Sequence, residues 1–256
     1  MLKFAANLSL MFNELPFQDR FAAAREAGFL AVEFFPPSGI AIERVAALLE
    51  SHGLTQALAN MPLVDRSKGF AALPGQSIRF KAHFEQALDW ALAVNAPLLH
   101  ITCGCVEPAD LHLASLAFQE NLEWSLQRAE GRIELVIEAI NQTAVPGYFI
   151  QSLADAQRWT QTVPGLTLIM DVYHAAMEGL DVVDAIHRYL PYAGHVQVAG
   201  WPGRHEPNVG DLPWQGIQDA LVKETYLGWI GCEYIPVGAT LEGLGWLRDA
   251  SLVNHG

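Results

Sequence analysis

The sequence predicts a protein of the α/β class, folded as a single-domain (β/α)8 TIM barrel. Short apolar runs alternate along the 256 residues with longer segments of helical period, and this alternation favours parallel strands joined by crossover helices. Eight such units in about 250 residues fit a closed barrel. A doubly wound open sheet is disfavoured because the turn after the first strand reads Asn7-Leu8-Ser9-Leu10 and not Gly-x-Gly-x-x-Gly.

The strand predictions rest on runs of six or seven mostly apolar residues. Such runs, bounded by turn or helical segments, are typical of strands buried on both faces of a parallel sheet. In chain order the predicted strands are 3–8, 29–35, 54–60, 97–103, 133–138, 166–171, 194–199 and 229–235.

The predicted helices fill the intervals between these strands. Several carry start or stop signals, namely Pro16, Asp110 or Ser152 near a beginning and Gly28 or Gly53 after an end. In chain order the helices are expected at 16–27, 40–52, 78–95, 109–130, 149–161, 178–190 and 213–225, with a last one near 240–250.

The domain organisation is predicted to be one domain over residues 1–256. The chain contains no internal repeat, low-complexity tract or change in composition that marks a linker. The longest irregular stretch, 61–77, contains Pro62, Gly69, Pro74 and Gly75 and is expected to form a lid or wall beside an active site.

Composition and charge exclude several classes of partner. A formal charge of −13 and a pI near 5.0 argue against nucleic acid and against an anionic membrane, which basic patches bind. No apolar stretch approaches the ~20 residues that span a bilayer, and no signal peptide follows Met1, so a cytoplasmic location is expected. The three cysteines form no Cys-x-x-Cys pair, which disfavours a disulfide framework or a zinc site.

Four predicted strands end in or near a side chain that carries an oxygen atom. These residues are Glu138, Asp171, Gln197 and Glu233, on the fifth to the eighth strand. Consecutive strands are neighbours in a barrel, and their carboxyl ends form its catalytic face, so these side chains are expected to converge. Three carboxylates and an amide oxygen are suitable ligands for one divalent metal ion such as Mg²⁺ or Mn²⁺.

Each of these groups alone could be a buried polar side chain that a neighbour satisfies. Four of them on consecutive strands favour a site instead. Three carboxylates crowded together repel one another unless a cation neutralises them, so a metal is the economical explanation.

Motifs along nearly the whole chain resemble a known family. Glu138, Asp171-x-x-His174, His195-x-Gln197 and Gly231-Cys232-Glu233-Tyr234 occur in the order and on the strands expected of the hydroxypyruvate isomerases, which belong to the xylose isomerase-like TIM barrels. The resemblance extends from Leu2 to about Trp246. Further matching segments are Asn7-Leu8-Ser9, Gly28-Phe29-Leu30-Ala31-Val32-Glu33-Phe34, Glu120-Asn121-Leu122, Glu206-Pro207 and Gly210-Asp211.

The resemblance implies an aldose–ketose type isomerase with one divalent metal ion as cofactor. It implies that Glu138, Asp171, Gln197 and Glu233 bind the metal and that Glu138 and Glu233 are catalytic, one removing a proton and the other returning one. Arg204 and His174 are expected to bind the substrate, because a guanidinium can hold a carboxylate in a bidentate manner. Glu33, His100 and His195 are weaker candidates for supporting roles. A homo-oligomer is left open.

Several functions remain open at this stage. Hydroxypyruvate is the leading substrate, 2-oxotetronate is the second, and a sugar 3-epimerase is the alternative within the fold. Family members often have His-Asn-Leu-Pro and Pro-Gly-Arg where this chain has Ala59-Asn60-Met61-Pro62 and Pro74-Gly75-Gln76, which bears on the substrate. From other classes, a metal-binding protein without catalysis is retained, and a zinc-dependent abasic-site endonuclease is disfavoured by charge.

Overall fold

Eight parallel strands close into a barrel in sequential order, β1-β2-β3-β4-β5-β6-β7-β8, in the computed structural model. The structure describes residues 1–64 and 68–247. The predicted fold class is thereby confirmed. The strands are β1 Lys3–Asn7, β2 Ala31–Phe34, β3 Thr55–Asn60, β4 Leu98–His100, β5 Glu134–Glu138, β6 Leu166–Asp171, β7 Ala193–Val198 and β8 Trp229–Cys232.

Helices connect the strands and surround the barrel. Within the described residues they are α1 Arg20–Glu26, α2 Ile42–His52, α3 Ser77–Ala93, α4 Leu111–Ala129, α5 Leu153–Thr162, α6 Val172–Met177, α7 Val182–Tyr189, α8 Trp214–Lys223 and α9 Thr240–Gly243. Short 3₁₀ turns at Phe17–Asp19, Pro108–Asp110 and Leu190–Tyr192 adjoin α1, α4 and α7. No helix of the described ranges is long and apolar enough to cross a bilayer.

The buried apolar residues of the described ranges form three clusters, the smallest of which is Ala5, Ala31 and Ala57. The largest cluster lies between the strands and the surrounding helices, with large buried side chains such as Phe21, Phe84 and Phe118. A smaller cluster of Leu58, Leu98, Val136 and Ile169 comes from four neighbouring strands, β3 to β6. Side chains two positions further along a strand project to the same side, so this cluster forms the layer beneath the strand ends.

The predicted elements agree with the structure in number and order of strands, and differ at their ends. Strand β4 is three residues long where 97–103 was expected, and the helix expected at 149–161 begins only at Leu153, where Ser152 caps it by accepting the Asp155 N–H at 3.1 Å. Asp110 precedes α4 but its side chain makes no capping hydrogen bond. Part of the expected lid, 65–67, and of the last helix, 248–250, lies outside the described residues.

The additional helix α6 is the main departure from the predicted pattern. It occupies the start of an interval in which a single helix, 178–190, was expected, and α7 begins only at Val182. Asp171 starts α6 because its carboxylate accepts the N–H groups of Tyr173 at 2.7 Å and His174 at 3.4 Å. The aspartate at the end of β6 therefore starts a helix directly after the strand.

Candidate active site

A polar residue ends every strand of the barrel. Each is the last residue of its strand or lies within one position of that end, and all except Glu233 are buried. The apolar cluster of Leu58, Leu98, Val136 and Ile169 lies beneath the polar groups of β3 to β6. In strand order they are Asn7, Glu33, Asn60, His100, Glu138, Asp171, Gln197 and Glu233.

Glu138 lies between two imidazoles. Its Oε2 is 3.7 Å from Nε2 of His100, and its Oε1 is 3.7 Å from Nε2 of His174. Burial, with a smaller contribution from His195, lowers the pKa of His100 to about 3, so this imidazole is neutral. The Nδ2 of Asn60 donates to a backbone carbonyl, and its Oδ1 lies 3.0 Å from His100 Nδ1, so Nδ1 carries the proton and donates it to this oxygen. A neutral imidazole has a single proton, so His100 Nε2 is unprotonated.

His174 is held in the opposite tautomer. The backbone N–H of Asn141 donates to Nδ1 of His174 at 3.2 Å, so Nδ1 is an acceptor and Nε2 carries the proton. That Nε2 lies 3.7 Å from both Glu138 Oε1 and Asp171 Oδ2. Burial lowers the pKa of His174 although Asp171 acts to raise it. His174 therefore presents a neutral N–H donor to the site.

Arg204 connects two of the carboxylates. Its Nη2 lies 3.1 Å from Glu233 Oε1 and 3.6 Å from Asp171 Oδ2, and its guanidinium stacks 5.1 Å from the centre of the Tyr173 ring. Burial acts to lower the pKa of Arg204, but Glu233 and Asp171 outweigh it and the pKa is raised. The guanidinium is therefore a cation that lies between the carboxylates of Asp171 and Glu233.

Gln197 is oriented by its neighbours. Its Nε2 donates to Glu33 Oε1 at 2.9 Å, whereas its buried Oε1 has no hydrogen-bond partner. The β6–β7 register pairs Gln197 with Asp171, whose Oδ2 is also buried without a hydrogen-bond partner. Buried acceptors of this kind are costly unless a donor or a cation satisfies them.

Two carboxyl groups of the cluster, those of Glu138 and Glu233, hold their protons more tightly than free glutamate. Burial first, then the charges of Glu233 and Asp171, raise the pKa of Glu138 well above its usual value. Burial is also the main cause that raises the pKa of Glu233. The charge of Arg204 lowers this pKa, whereas the charges of Asp171 and Glu33 raise it, and the resulting pKa is about 8. Such shifts are typical of groups gathered in a functional site.

The donor set fits a hard divalent cation. Asp171 Oδ2 and Gln197 Oε1 are unsatisfied oxygen atoms, and the Glu138 and Glu233 carboxyls are destabilised as anions by burial. Atoms of Glu138, Asp171 and His174 also lie within 4.8 Å of one another. Because His174 Nε2 carries its proton, this imidazole acts as a donor in the observed arrangement, and the oxygen atoms are the better ligands.

The predicted site residues thus lie close together, and two of them bridge the carboxylates. His174 bridges Glu138 and Asp171, and Arg204 bridges Asp171 and Glu233. Gln197 is next to Asp171 by strand register. Glu206, from the matching segment Glu206-Pro207, is buried and accepts the Val237 N–H at 3.2 Å.

Sequence reasoning missed two members of the polar ring and gave too little weight to two others. Asn7 and Asn60 were not proposed as site residues, and Glu33 and His100 were ranked low. All four lie at the end of their strands or one position before it, so the same strand-end signal could have identified them. The expected wall residue Gln76 lies at the start of α3, where its carbonyl accepts the Phe80 N–H.

Comparison with known proteins places this arrangement in a family. A sequence model of the xylose isomerase-like TIM barrel family matches residues 21–250. A protein from Cupriavidus necator named 2-oxo-tetronate isomerase is 40% identical over 256 residues, covering 97% of this chain and 98% of the relative. A human protein, proposed to be a hydroxypyruvate isomerase, is 37% identical over 97% of this chain and 95% of its own.

A solved structure is similar throughout. A crystal structure from Brucella melitensis, described as AP endonuclease, family 2, superposes with a TM-score of 0.94 at 38% identity and covers 97% of this chain and 99% of its own. The family resemblance predicted from the strand-end motifs is thereby confirmed. The chain belongs to the hydroxypyruvate isomerase family of the xylose isomerase-like TIM barrels, and it is an isomerase.

Proposed function

We propose that this enzyme interconverts a short 2-oxo hydroxy acid and its isomer through an enediolate, with one Mg²⁺ or Mn²⁺ bound by Glu138, Asp171, Gln197 and Glu233. Hydroxypyruvate, which isomerises to tartronate semialdehyde, is the leading substrate. The observation that carries the proposal is the pair of buried oxygen atoms without hydrogen-bond partners, Asp171 Oδ2 and Gln197 Oε1, beside two glutamates with raised pKa values.

The two glutamates supply the proton transfers. One carboxylate removes a proton from the carbon that bears the hydroxyl, which gives the enediolate, and the other carboxyl delivers a proton to the former carbonyl carbon. The hydroxyl proton passes to the former carbonyl oxygen, so the hydroxyl-bearing carbon becomes the new carbonyl. A raised pKa makes each carboxylate a stronger base than free glutamate. A cation held by Glu138, Asp171, Gln197 and Glu233 would supply positive charge that polarises a carbonyl group and stabilises an enediolate.

His174 and Arg204 are suited to hold the substrate. The N–H at His174 Nε2 faces the cluster and can donate to a substrate oxygen, because its tautomer is fixed by Asn141. The Arg204 guanidinium, 24% exposed at the side chain, can turn one edge to a substrate carboxylate while Glu233 holds it. A chain of net charge −13 needs such a local cation to accept an organic anion.

A second substrate, 2-oxotetronate, is favoured by one observation. The relative from Cupriavidus necator at 40% identity carries the name 2-oxo-tetronate isomerase. This acid has one more hydroxylated carbon than hydroxypyruvate, and the same proton transfer between adjacent carbons serves both. This chain has Gln76 and Ala59 where the family pattern often has an Arg and a His.

DNA as a substrate is disfavoured by charge, although one similar structure bears an endonuclease description. A chain with pI near 5.0 offers little attraction to a phosphate backbone. The predicted ligands are mainly oxygen atoms, which suit Mg²⁺ or Mn²⁺ better than zinc.

The test uses protein stripped with a chelator and reloaded with Mg²⁺ or Mn²⁺. Hydroxypyruvate, 2-oxotetronate and D-tagatose are each incubated with it in D₂O, and NMR follows isomer formation and deuterium incorporation at carbon. We expect metal-dependent turnover of at least one acid, with kcat/KM above that for the sugar. Greater turnover of the sugar would favour the epimerase reading, and no exchange with any of the three would refute an isomerase of this type.

A further inference from the structure

We propose that Glu33 is a positioning residue that fixes the Gln197 side chain with its oxygen toward the acidic cluster. The inference rests on the proposed metal site, because the orientation of Gln197 matters only if its oxygen binds a cation. Glu33 is the last residue but one of β2, whereas Gln197 lies on β7. The contact therefore crosses the interior of the barrel rather than running between neighbouring strands.

Three polar groups surround the Glu33 carboxylate. Its Oε1 accepts from Asn7 Nδ2 at 3.1 Å and from Gln197 Nε2 at 2.9 Å, and its Oε2 lies 2.8 Å from His195 Nε2. Glu33 and His195 are fully buried, and the other two are at most 3% exposed. A carboxylate so enclosed keeps one position, because every rotation would break a buried hydrogen bond.

The carboxylate decides which end of the Gln197 amide faces the cluster. A glutamine amide has an NH₂ end and an oxygen end of nearly equal size, and only the oxygen can bind a hard cation. Glu33 Oε1 accepts hydrogen bonds from both Asn7 Nδ2 and Gln197 Nε2, so it faces the NH₂ end of the Gln197 amide. The oxygen, Gln197 Oε1, is then directed away from Glu33 and is left without a hydrogen-bond partner.

A glycine on β8 makes this arrangement possible. A Cβ at Gly231 would lie 2.4 Å from Glu33 Oε2 and 2.5 Å from Glu33 Oε1. Gly231 pairs with Gln197 in the β7–β8 register, so the missing side chain opens the path from β2 to β7. This observation is independent of the hydrogen bonds and points to the same role for Glu33.

The first test measures the affinity of the metal-stripped protein for Mn²⁺ by calorimetry, with the EPR signal of free Mn²⁺ as a second readout. We expect Glu33→Ala to weaken Mn²⁺ binding by about 10–100-fold, as is typical when a group supporting a ligand is lost. Glu33→Gln should stay within about threefold of the wild type. Its amide oxygen can still accept from Gln197 while its NH₂ donates to His195, whose Nδ1 is unpartnered and permits the other tautomer.

Further variants test whether the loss of Mn²⁺ affinity comes from the changed orientation of Gln197 rather than from the removal of the Glu33 side chain or from misfolding. Gly231→Ala keeps the charge of Glu33 but displaces its carboxylate, so it should weaken Mn²⁺ binding as Glu33→Ala does. In a Gln197→Ala background, Glu33→Ala should cause no further loss, because the group it positions is already gone. Glu134→Gln is the matched control, since Glu134 begins β5 at the opposite end of the barrel, where Thr167 donates to it.

The outcomes are distinguishable. Unchanged Mn²⁺ affinity in Glu33→Ala, an equal loss in Glu33→Gln, or an undiminished effect of Glu33→Ala in the Gln197→Ala background would each overturn the positioning role. A wild-type protein that binds no Mn²⁺ or Mg²⁺ would instead refute the proposed metal site itself.

Discussion

At the carboxyl ends of the strands, Glu138 and Glu233 combine two properties that a pair of proton-transfer groups requires. Both have raised pKa values, and they reach the site from β5 and from the end of β8. We predict that Glu138→Gln and Glu233→Gln each lower kcat/KM by about 10²–10⁴-fold, the usual contribution of a general acid or base. The assay is the NMR measurement of isomer formation with the better acid substrate.

A second readout tests whether the loss is one of proton transfer. Exchange of solvent deuterium into the substrate should vanish in the variant that lacks the group removing the proton. The Glu134→Gln variant should retain wild-type kcat/KM, because Glu134 lies at the other end of β5. If both active-site variants kept more than about a tenth of the activity, acid–base roles for these residues would be excluded.

The raised pKa values also predict that metal binding releases protons. A carboxyl with a pKa of about 8, such as Glu233, is largely protonated at pH 7 in the metal-free protein, and a cation binds only the ionised form. Affinity for Mg²⁺ should therefore increase as the pH rises from about 6 to about 8. Calorimetry in two buffers of different ionisation enthalpy measures the release, and zero released protons at pH 7 would contradict the prediction.

The sequence predicted which residues belong to the site but not how they contact one another. Glu138, Asp171, Gln197 and Glu233 were predictable because each ends or follows a short apolar run. The contact between Glu33 and Gln197 was not, because it joins residues 164 positions apart across the barrel. It depends on the space left by Gly231, and a single glycine in a strand does not indicate which side chain fills that space.

Among the elements, α6 links the site to the outer layer of helices. Asp171 starts this helix, and Glu178 ends it while accepting the Leu153 N–H from the first turn of α5 at 2.9 Å. Burial raises the pKa of Glu178 to about 7. The same short helix thus has a predicted ligand at one end and, at the other, a carboxyl group whose pKa is raised by burial.

We predict that Glu178→Gln stabilises the protein at alkaline pH. Because the pKa is raised in the folded state, the stability linked to the Glu178 proton is complete below about pH 4.5 and is lost as the pH rises to about 7. Glutamine stays neutral and still accepts from Leu153. Since Glu178 is partly exposed, we expect a gain of only about 1 kcal/mol in the free energy of unfolding at pH 8, or about 2–4 °C in Tm.

The measurement is thermal unfolding at pH 5 and pH 8. The difference between variant and wild type should be clearly smaller at pH 5 than at pH 8. Glu120→Gln, an exposed position on α4, is the matched control and should show no such pH dependence. A variant less stable than the wild type at pH 8 would show that the ionised carboxylate is favourable at this position.

Sequence patterns were sufficient to predict the strands of the barrel but not the helix α6. The eight strands and their order followed from apolar runs, which reflect burial on both faces of the sheet. The helix α6 was missed because its start depends on one capping aspartate, and in the sequence Asp171 had already been interpreted as a metal ligand. An aspartate after a strand can indicate either a helix cap or a metal ligand. Asp171 caps α6 in the structure and is also a predicted ligand, and the sequence alone did not show both roles.

Considered as a whole, the molecule places its most crowded negative charges inside a protein that is already acidic. The net charge is −13, and Glu138, Asp171 and Glu233 gather at one end of the barrel with Arg204 as the cation held between two of them. Repulsion within this cluster acts against folding whenever the carboxyls are ionised. A cation bound by residues of four consecutive strands, β5 to β8, would remove this repulsion and connect half of the barrel.

We therefore predict that Mg²⁺ or Mn²⁺ raises the thermal stability of the metal-stripped protein. At a metal concentration about 100 times Kd, binding to the folded state alone adds about 2.7 kcal/mol, which corresponds to about 5–10 °C in Tm for a domain of this size. The increase should be larger at pH 8 than at pH 6, because protons compete with the cation for Glu138 and Glu233. Differential scanning calorimetry with and without a chelator measures it. Gln197→Ala should reduce the increase at a fixed metal concentration, and an equal increase in that variant would remove Gln197 from the ligand set.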